Sequence, residues 1–223
     1  MTEEEWFDSH YAPELLEHLG HRASERKLRL YACACCRHRA LWRRLRPEAR
    51  RLVEVAEEYA DGRACREALE QALENAPLGL KTVDRRPFFE PEWGNVPVHI
   101  TPTSQAERAI RALAEEDAEE AASAAARHAL NLLGGVACEL LREIVGNPFW
   151  DYTPEQAWLH WNDGAVPKIA QGIYEGRAFD RLPILHDALL DAGCDNQDIL
   201  AHCRGAGPHV RGCWVIDLLL GKE

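Results

Sequence analysis

The sequence predicts an all-α fold, an irregular multi-helix bundle with one long central helix and a series of short C-terminal helices. Apolar residues recur three or four positions apart along most of the 223-residue chain, which is the period of a helix that packs on one face. Proline and glycine stand at the ends of these stretches, where helices favour them. Two of the stretches begin with a serine or threonine followed three positions later by Glu, the spacing of a capping box.

Helix starts follow one another closely in the first part of the chain. Thr2 with Glu5 predicts a capping box, Pro13 begins a second helix that ends at Gly20, and Ser24 caps a third. The third helix is expected to present one apolar face, made of Leu28, Tyr31, Cys35, His38, Trp42 and Leu45.

The next helix is expected to begin at Pro47 and to end at Gly62. Its pattern places the acidic positions on the solvent side, namely Glu54, Glu57, Glu58 and Asp61. A weaker helical pattern then runs from Ala64 to Leu73.

The middle of the chain changes character twice. Residues 76–102 hold five of the twelve prolines without a helical period, which predicts a long loop packed on the body. Ser104 with Glu107 then begins an alanine-rich run to Leu133, a helix of about 45 Å at 1.5 Å per residue. Because alanines allow a neighbouring helix to approach closely, this run is the candidate for the central helix.

After Gly134 and Gly135 the chain is predicted to form shorter helices. One continues to Gly146, and the later ones are Pro154 to Trp161, Val166 to Tyr174, Leu182 to Ala192, Gln197 to Arg204 and His209 to Leu220. We expect a single helical domain over residues 1–223, within which lobes 1–75 and 103–223 are joined by the Pro-rich loop 76–102.

Composition limits the compartment and the partners. The acidic start of the chain lacks a secretory pattern, and no stretch has the roughly 18 apolar residues of a membrane span, so we expect a cytoplasmic protein with no membrane partner. In that compartment the eight cysteines are expected to remain reduced thiols. A net charge of -11 argues against the whole molecule being a binder of nucleic acid.

The charge is unevenly distributed, and one segment is strongly basic. Residues 22–51 contain eleven Lys or Arg against Glu25 and Glu48, so this segment carries +9 and the rest of the chain -20. A phosphate backbone is the partner that such a segment suits, through a stripe made of Arg39, Arg43, Arg44, Arg46 and Arg50. The alternatives are that the stripe docks on acidic helices of the same molecule, 54–74 or 115–120, or that it is simply solvated.

Two parts of the chain resemble a family of uncharacterised bacterial proteins that occur as many paralogues within single genomes. The N-terminal segments that carry the resemblance are Glu5-Trp6 and Ala32-Cys33-Ala34-Cys35-Cys36-Arg37. The C-terminal segments are Gly146 to Phe149, Trp161 to Gly164, Arg177 to Pro183, Asp191 to Cys194 and His209 to Trp214. The resemblance implies no activity, cofactor or catalytic residue, and a scaffold reused in many copies suits partner recognition.

Cysteine and histidine spacings suggest a metal site. Cys33 with Cys36 and His209 with Cys213 stand three or four residues apart, so each pair would share one face of a helix. Together they have the Cys3His composition of a structural zinc site, with His38, Cys194, His202 and Cys203 as substitutes. The alternative is that these cysteines are buried thiols that bind no cofactor.

The region 150–181 combines aromatic and charged residues of the kind found at binding hot spots. Its candidates for an interaction surface are Trp158, Trp161, Asp163, Arg177 and Asp180, although such residues also serve as core anchors. No nucleophile elbow, P-loop or dinucleotide fingerprint is present. The sequence therefore favours a non-catalytic protein-interaction or adaptor module, with a nucleic-acid-associated protein and a zinc-binding domain or metal-dependent enzyme as alternatives.

Overall fold

The computed structural model describes residues 1–43, 45–76 and 102–223, and the side chains of these ranges apart from 102–106 and 129–132. Within them the backbone forms α-helices, two short 3-10 turns and connecting segments, without a strand. The helices are α1 (Glu3–Asp8), α2 (Ala12–Leu19), α3 (Glu25–Arg37), α4 (Arg39–Trp42), α5 (Pro47–Ala60), α6 (Arg66–Asn75), α7 (Pro102–Ala112), α8 (Ala118–Leu133), α9 (Val136–Val145), α10 (Gln156–Gly176), α11 (Leu182–Asp191), α12 (Gln197–Arg204) and α13 (Trp214–Leu220). The predicted all-α fold is confirmed.

Local capping explains many of the helix boundaries. Thr2 and Glu5 form the predicted capping box at the start of α1, and the Ser24 side chain accepts from the Lys27 amide at the start of α3. Pro47 is the first residue of α5, as predicted. Gly146 ends α9 with a φ of 78°, a left-handed conformation that glycine adopts without strain.

Helices α3 and α8 form the centre of the N-terminal part of the molecule. One side of α3 contributes Tyr31 and Cys35 to a core shared with α2, α8 and α9. The other side contributes Cys33 and Cys36 to a core shared with α5, α6 and α7. Small alanines of α8 line both cores, so the two central helices approach closely. The alanine-rich segment is therefore central, as predicted.

The last four helices, α10 to α13, enclose a separate core. Its largest buried members include Tyr174, Leu185 and Ile216, each at most 1% exposed. Burying a side chain of this size contributes about 1.5–3 kcal/mol. The C-terminal part thus has apolar contacts of its own, and it meets the N-terminal part through polar side chains described below.

The predicted long helix from Ser104 to Leu133 is interrupted. Helix α7 already begins at Pro102 and ends at Ala112, and the chain turns over 113–117 before α8 begins. The backbone carbonyls of Glu115 and Glu116 that the break exposes accept hydrogen bonds from the Arg29 guanidinium. Asp117 then accepts from the Glu120 amide and starts α8. The expectation of a single long helix was wrong because distant arginines satisfy the carbonyls at the break.

Two other predicted boundaries differ, and one predicted gap between helices is present. The third helix ends at Arg37, because His38 adopts a ψ of 138° and caps the short α4. The C-terminal helix begins at Trp214, so His209 and Cys213 lie on the preceding connection. Helix α10 is interrupted by non-helical backbone at Trp161 to Gly164, close to the predicted gap between two short helices. The loop predicted over 76–102 lies outside the described residues except at its ends.

Among the described helices, none is long and apolar enough to span a bilayer.

Candidate metal centre and the charge network beside it

Four potential metal ligands meet where the N-terminal and C-terminal parts of the molecule join. Glu143 comes from α9, His202 from α12, and His209 and Cys213 from the connection between α12 and α13. One ligand atom from each lies within 4.8 Å of the other three. In the parts of the chain that the structure describes, this is the one group of three or more such side chains.

Two glycines allow the backbone to bring these side chains together. Gly212 has a φ of 92°, and a Cβ on it would lie 3.0 Å from the Leu30 side chain, so the connection packs tightly on α3. At Gly146 a Cβ would lie 3.1 Å from the Trp214 ring. Because larger residues would push the connection away from α3 and α9, these glycines fix where His209 and Cys213 lie.

Trp214 determines which nitrogen of His202 carries a proton. The indole Nε1–H of Trp214 donates to His202 Nδ1 over 3.0 Å, and an indole N–H acts as a donor alone. In the neutral ring the proton is therefore on Nε2, which lies 3.1 Å from Cys213 Sγ and 3.5 Å from Glu143 Oε2. Burial lowers the pKa of His202 although Glu143 opposes the shift, so the neutral form is favoured.

His209 has acceptors on both sides of its ring. Its Nδ1 lies 3.2 Å from Glu143 Oε1, and its Nε2 lies 2.9 Å from the Gly205 carbonyl oxygen. Burial by itself lowers the pKa of His209, but the hydrogen bond and charge of Glu143 and the Gly205 carbonyl together raise it above the ordinary value. The contact with Glu143 therefore favours the protonated form of His209.

Cys213 is a thiol rather than a nucleophile in this arrangement. It is fully buried, and burial followed by the nearby charge of Glu143 raises its pKa well above the ordinary value. Neutral His202 presents an N–H to the sulfur, so it cannot accept the thiol proton at that nitrogen. A cysteine and histidine catalytic pair is thus not formed here, whereas a metal ion would stabilise the thiolate.

The chemistry of the donor set fits zinc. Bonds of about 2.3 Å to sulfur and about 2.0–2.2 Å to nitrogen and oxygen set tetrahedral ligand atoms about 3.3–3.7 Å apart. The separations here need to close by roughly 1 Å at most to reach that geometry. His209 is oriented as metal-bound histidines usually are, since its second nitrogen faces a backbone carbonyl.

The quartet of ligands predicted from the sequence is only half assembled. His209 and Cys213 lie together, and His202 joins them from among the predicted substitutes. Cys33 and Cys36 are not part of the cluster, because they belong to the core that α3 shares with α5, whereas the Leu30 side chain that Gly212 approaches belongs to the other core. His38 caps α4, and Cys194 and Cys203 are buried in the C-terminal core.

Glu143 was not predicted, although the sequence contains a signal for it. It lies on the apolar face of α9 beside the buried Leu140 and Ile144, and it is 5% exposed. A carboxylate on a buried face needs a cation or several hydrogen-bond donors. Acidic residues that interrupt an apolar stripe are thus the feature that would have pointed to it.

A network of buried charges lies next to this cluster. The Asp61 side chain is 2% exposed and accepts from Arg26, Arg211 and the Tyr174 hydroxyl over 3.0, 2.9 and 2.5 Å. Asp217 on α13 accepts from two nitrogens of Arg26 over 2.7 and 3.1 Å. These contacts connect α3 and the end of α5 to α10 and α13.

A second buried carboxylate extends the network. Glu57 accepts hydrogen bonds from Nε and Nη2 of Arg37, over 2.6 and 2.7 Å, and it also accepts one from Arg177. Its side chain is 2% exposed. The sequence pattern had placed Glu57 and Asp61 on the solvent side of α5. This was wrong, because Arg37 and Arg177 cover Glu57 and Arg211 covers Asp61.

Two openings border the cluster. A cavity of about 240 Å³ contacts His209 and is lined by Arg37, Glu57, Arg177 and Arg211. A groove of about 580 Å³ contacts Glu143 and His202 and is bordered by the aromatic residues Phe7, Trp150, Tyr152 and Trp214. A ligand in either opening could therefore approach the four side chains.

The predicted interaction residues of 150–181 do not form one surface. Trp158 is buried in the C-terminal core, and Trp161 packs against that core. Arg177 binds Glu57 within the network. Asp163 and Asp180 are exposed. Trp158, Trp161 and Arg177 thus serve contacts within the molecule.

The predicted basic stripe is divided by the break after α3. Arg39 and Arg43 are exposed, and Arg44 lies outside the described residues. Arg50 donates to the Trp42 carbonyl, and its guanidinium carbon lies 5.3 Å from the centroid of the Trp42 ring. The guanidinium carbon of Arg37 lies 4.5 Å from the same centroid. Arg46 is partly buried before α5. Arg46 and Arg50 are therefore less available to a phosphate backbone than a continuous helix would make them.

All eight cysteines are free thiols, and seven of them are buried while Cys65 is exposed.

Comparisons with protein-family models, with curated proteins and with solved structures gave no match.

Proposed function

We propose that this chain is a zinc-binding helical domain. Glu143, His209 and Cys213 supply the ligands, and His202 donates a hydrogen bond to the bound thiolate and carboxylate. The observation that carries the proposal is the convergence of these four side chains from three separate segments to within 4.8 Å. Mixed sulfur, nitrogen and oxygen ligands suit zinc, which is intermediate between soft and hard metals.

The hydrogen bond from Trp214 supports three ligands rather than four. Binding zinc through His202 Nε2 would require the proton to move to Nδ1, where it would face the Trp214 N–H. As a donor, His202 instead stabilises the thiolate and orients the carboxylate, which is the usual task of groups around metal ligands. One coordination position then remains for water or for a ligand that enters from the groove.

Zinc in this position would join the two parts of the molecule. Glu143 belongs to the core around α3 and α8, whereas His202 and Cys213 belong to the C-terminal part. Binding requires Cys213 to lose its thiol proton and His209 to lose the proton between Nδ1 and Glu143. Zinc affinity is therefore expected to fall as the pH is lowered.

Elemental analysis of protein purified without chelators tests the proposal. We expect close to one zinc per chain in the wild-type protein and its loss in Cys213→Ala. The matched control is Cys203→Ala, because Cys203 is equally buried, belongs to the same core and is not a member of the cluster. Zinc below about 0.1 per chain in the wild-type protein, or equal zinc in both variants, would refute the proposal.

Two further variants test the role of His202. His202→Gln replaces the ring but leaves the three ligands in place, so we expect zinc affinity to fall about 10–100-fold, the usual effect of changing a group around the ligands. His209→Gln removes a ligand and is expected to abolish stoichiometric zinc. Equal losses in the two variants would show that His202 is itself a ligand.

A second candidate function is the recognition of another protein at the groove. The observation that favours it is a set of exposed aromatic side chains beside the groove, of which Trp150 is 60% and Phe7 48% exposed. Large apolar side chains left in solvent are typical of interaction sites. This proposal replaces the interaction surface expected within 150–181 by one formed with α1.

Cross-linking in cells followed by mass spectrometry tests this candidate. A partner cross-linked to the wild-type protein should be lost when Phe7 and Trp150 are both changed to Ala. Ile184→Ala with Leu190→Ala is the control, because these residues of α11 are similarly exposed, at 55% and 48%. If the control pair loses the partner to the same degree, or the groove pair retains it, the groove is not the site.

A further inference from the structure

Three arginines line a cavity beside the network. Arg37, Arg177 and Arg211 face its volume of about 240 Å³ together with one carboxylate, Glu57. Its apolar wall includes Leu30 and Phe179. The lining arginines come from the end of α3, from the segment after α10 and from the connection before α13. Three distant segments therefore place guanidinium groups around one small space.

The carboxylates near the cavity do not balance the arginines. Arg26, Arg37, Arg63, Arg177 and Arg211 share three buried carboxylates, those of Glu57, Asp61 and Asp217. Arg63 is 47% exposed and therefore solvated, so the remaining four arginines face three carboxylates, which leaves a surplus of one positive charge. A poorly solvated charge without a counterion is costly, so an anion in the cavity would complete the network.

The arginines also retain hydrogen-bond donors for a ligand. Each guanidinium has five N–H groups, and in the described part of the chain Arg177 uses one nitrogen, on Glu57. Arg211 is 8% exposed and binds Asp61 through Nε. Its Nη2 is paired with Asp61 as well, 2.5 Å from Oδ2, which leaves Nη1 without a hydrogen bond among the described residues. A buried guanidinium with N–H groups to spare is suited to an anionic oxygen.

We propose that this cavity binds the phosphate group of a small molecule. Phosphate supplies negative charge to the surplus, and its oxygens match the planar fork of arginine donors. The volume is below the roughly 300–1,000 Å³ of pockets for drug-sized ligands, which favours inorganic phosphate or a short phosphomonoester over a nucleotide. The arginines carry this site, so it stands independently of zinc.

Calorimetric titration and thermal unfolding of the full chain test the proposal. The probes are inorganic phosphate, 2-phosphoglycolate and glycolate, each compared with sodium chloride at equal ionic strength. We expect phosphate to bind and to raise the unfolding temperature, and glycolate to do neither. Binding of 2-phosphoglycolate as well would identify a phosphomonoester site, whereas phosphate alone would identify a site for the free ion. The absence of any phosphate effect beyond that of chloride would overturn the proposal.

Arg177→Gln locates the site. Hydrogen bonds to charged groups are worth about 1.5–3 kcal/mol, so the variant should bind phosphate about 10–100-fold more weakly. Arg66→Gln is the matched control, because the Arg66 side chain is 32% exposed and paired, much like that of Arg177 at 30%, and it does not line the cavity. Equal phosphate affinity in Arg177→Gln and wild-type protein would overturn the proposal.

The Cys213→Ala variant separates this site from the proposed zinc centre. Phosphate binding that persists in Cys213→Ala supports the arginine cavity, whatever the zinc content of the wild-type protein. Phosphate binding that is lost in Cys213→Ala but kept in Arg177→Gln would show that the anion binds a metal ion instead, and would refute the cavity as its site.

Discussion

The two polar clusters that join the parts of this molecule differ in the kind of group from which they are built. In the network of Glu57, Asp61 and Asp217, arginine and tyrosine donors occupy the carboxylate oxygens. Arginine keeps its charge at every pH of interest. In the cluster of Glu143, His202, His209 and Cys213, the two histidines belong to the residue type that exchanges a proton near the physiological range, and a metal ion would displace the proton of the thiol.

This difference separates a structural role from a ligand-binding one. The network holds α3, α5, α10 and α13 together through contacts that need no added ion. The cluster places sulfur, nitrogen and oxygen atoms within 4.8 Å of one another, where one metal ion would bind several of them. Removing a network member should therefore cost stability in every condition, whereas removing a cluster member should matter most when zinc is present.

The largest expected effect is on the network. Asp61→Ala leaves Arg26 and Arg211 without their shared buried carboxylate, and breaking a buried ion pair in this way costs about 3–5 kcal/mol. Urea unfolding followed by circular dichroism measures this loss, and we expect it to be the same with and without a chelator.

An exposed pair provides the control for Asp61→Ala. Glu120 and Arg127 lie 3.3 Å apart with side chains 61% and 58% exposed. Glu120→Ala is expected to cost less than about 1 kcal/mol, as solvent screens such pairs. If Asp61→Ala costs no more than Glu120→Ala, the network does not hold the two parts of the molecule together.

Local sequence signals predicted the helix starts well because caps and prolines act over a few residues. Thr2, Ser24 and Pro47 each begin a helix as predicted. The break between α7 and α8 could not be predicted in this way. Its carbonyls are satisfied by Arg29 and Arg66, which come from other parts of the chain.

The candidate site was predictable by residue type but not by position. His209 and Cys213 were chosen because they stand four positions apart, as on one face of a helix. They instead lie on a connection that Gly212 turns against Leu30. Their partner Glu143 is far away in sequence, so the contact depends on how α9 packs against the C-terminal part. Residue spacing carries no information about such a contact.

The two histidines of the cluster should titrate on opposite sides of the ordinary value of about 6.5. In zinc-free protein the pKa of His202 is lowered by burial, whereas that of His209 is raised by Glu143 and the Gly205 carbonyl against the effect of burial. NMR titration of the ring protons measures both values. His202→Gln and His209→Gln assign the signals.

These shifts have opposite consequences for stability. Unfolded protein takes up a proton that folded His202 does not, so this residue makes the fold less stable as the pH falls below about 6.5. The pairing of His209 stabilises the fold fully below about 6.5 and loses its effect as the pH rises through the raised pKa. Each residue changes the slope of the unfolding free energy against pH by at most one proton, which is about 1.4 kcal/mol per pH unit. Two pKa values on the same side of 6.5 would contradict the hydrogen-bond assignment.

The smallest expected effect is that of changing an exposed glutamate of α5. Because a buried glutamate of the network lies on the same helix, the two positions test the effect of burial directly. Glu54 and Glu57 both lie on α5 and both pair with arginine, yet their side chains are 43% and 2% exposed. Glu54→Gln should cost about 0.2–0.5 kcal/mol because its Arg51 partner remains solvated. Glu57→Gln should cost several times more, since it leaves Arg37 and Arg177 without a counterion. Urea unfolding of the two variants compares the same chemical change in two environments. Equal losses of unfolding free energy would show that burial does not determine the cost of the substitution.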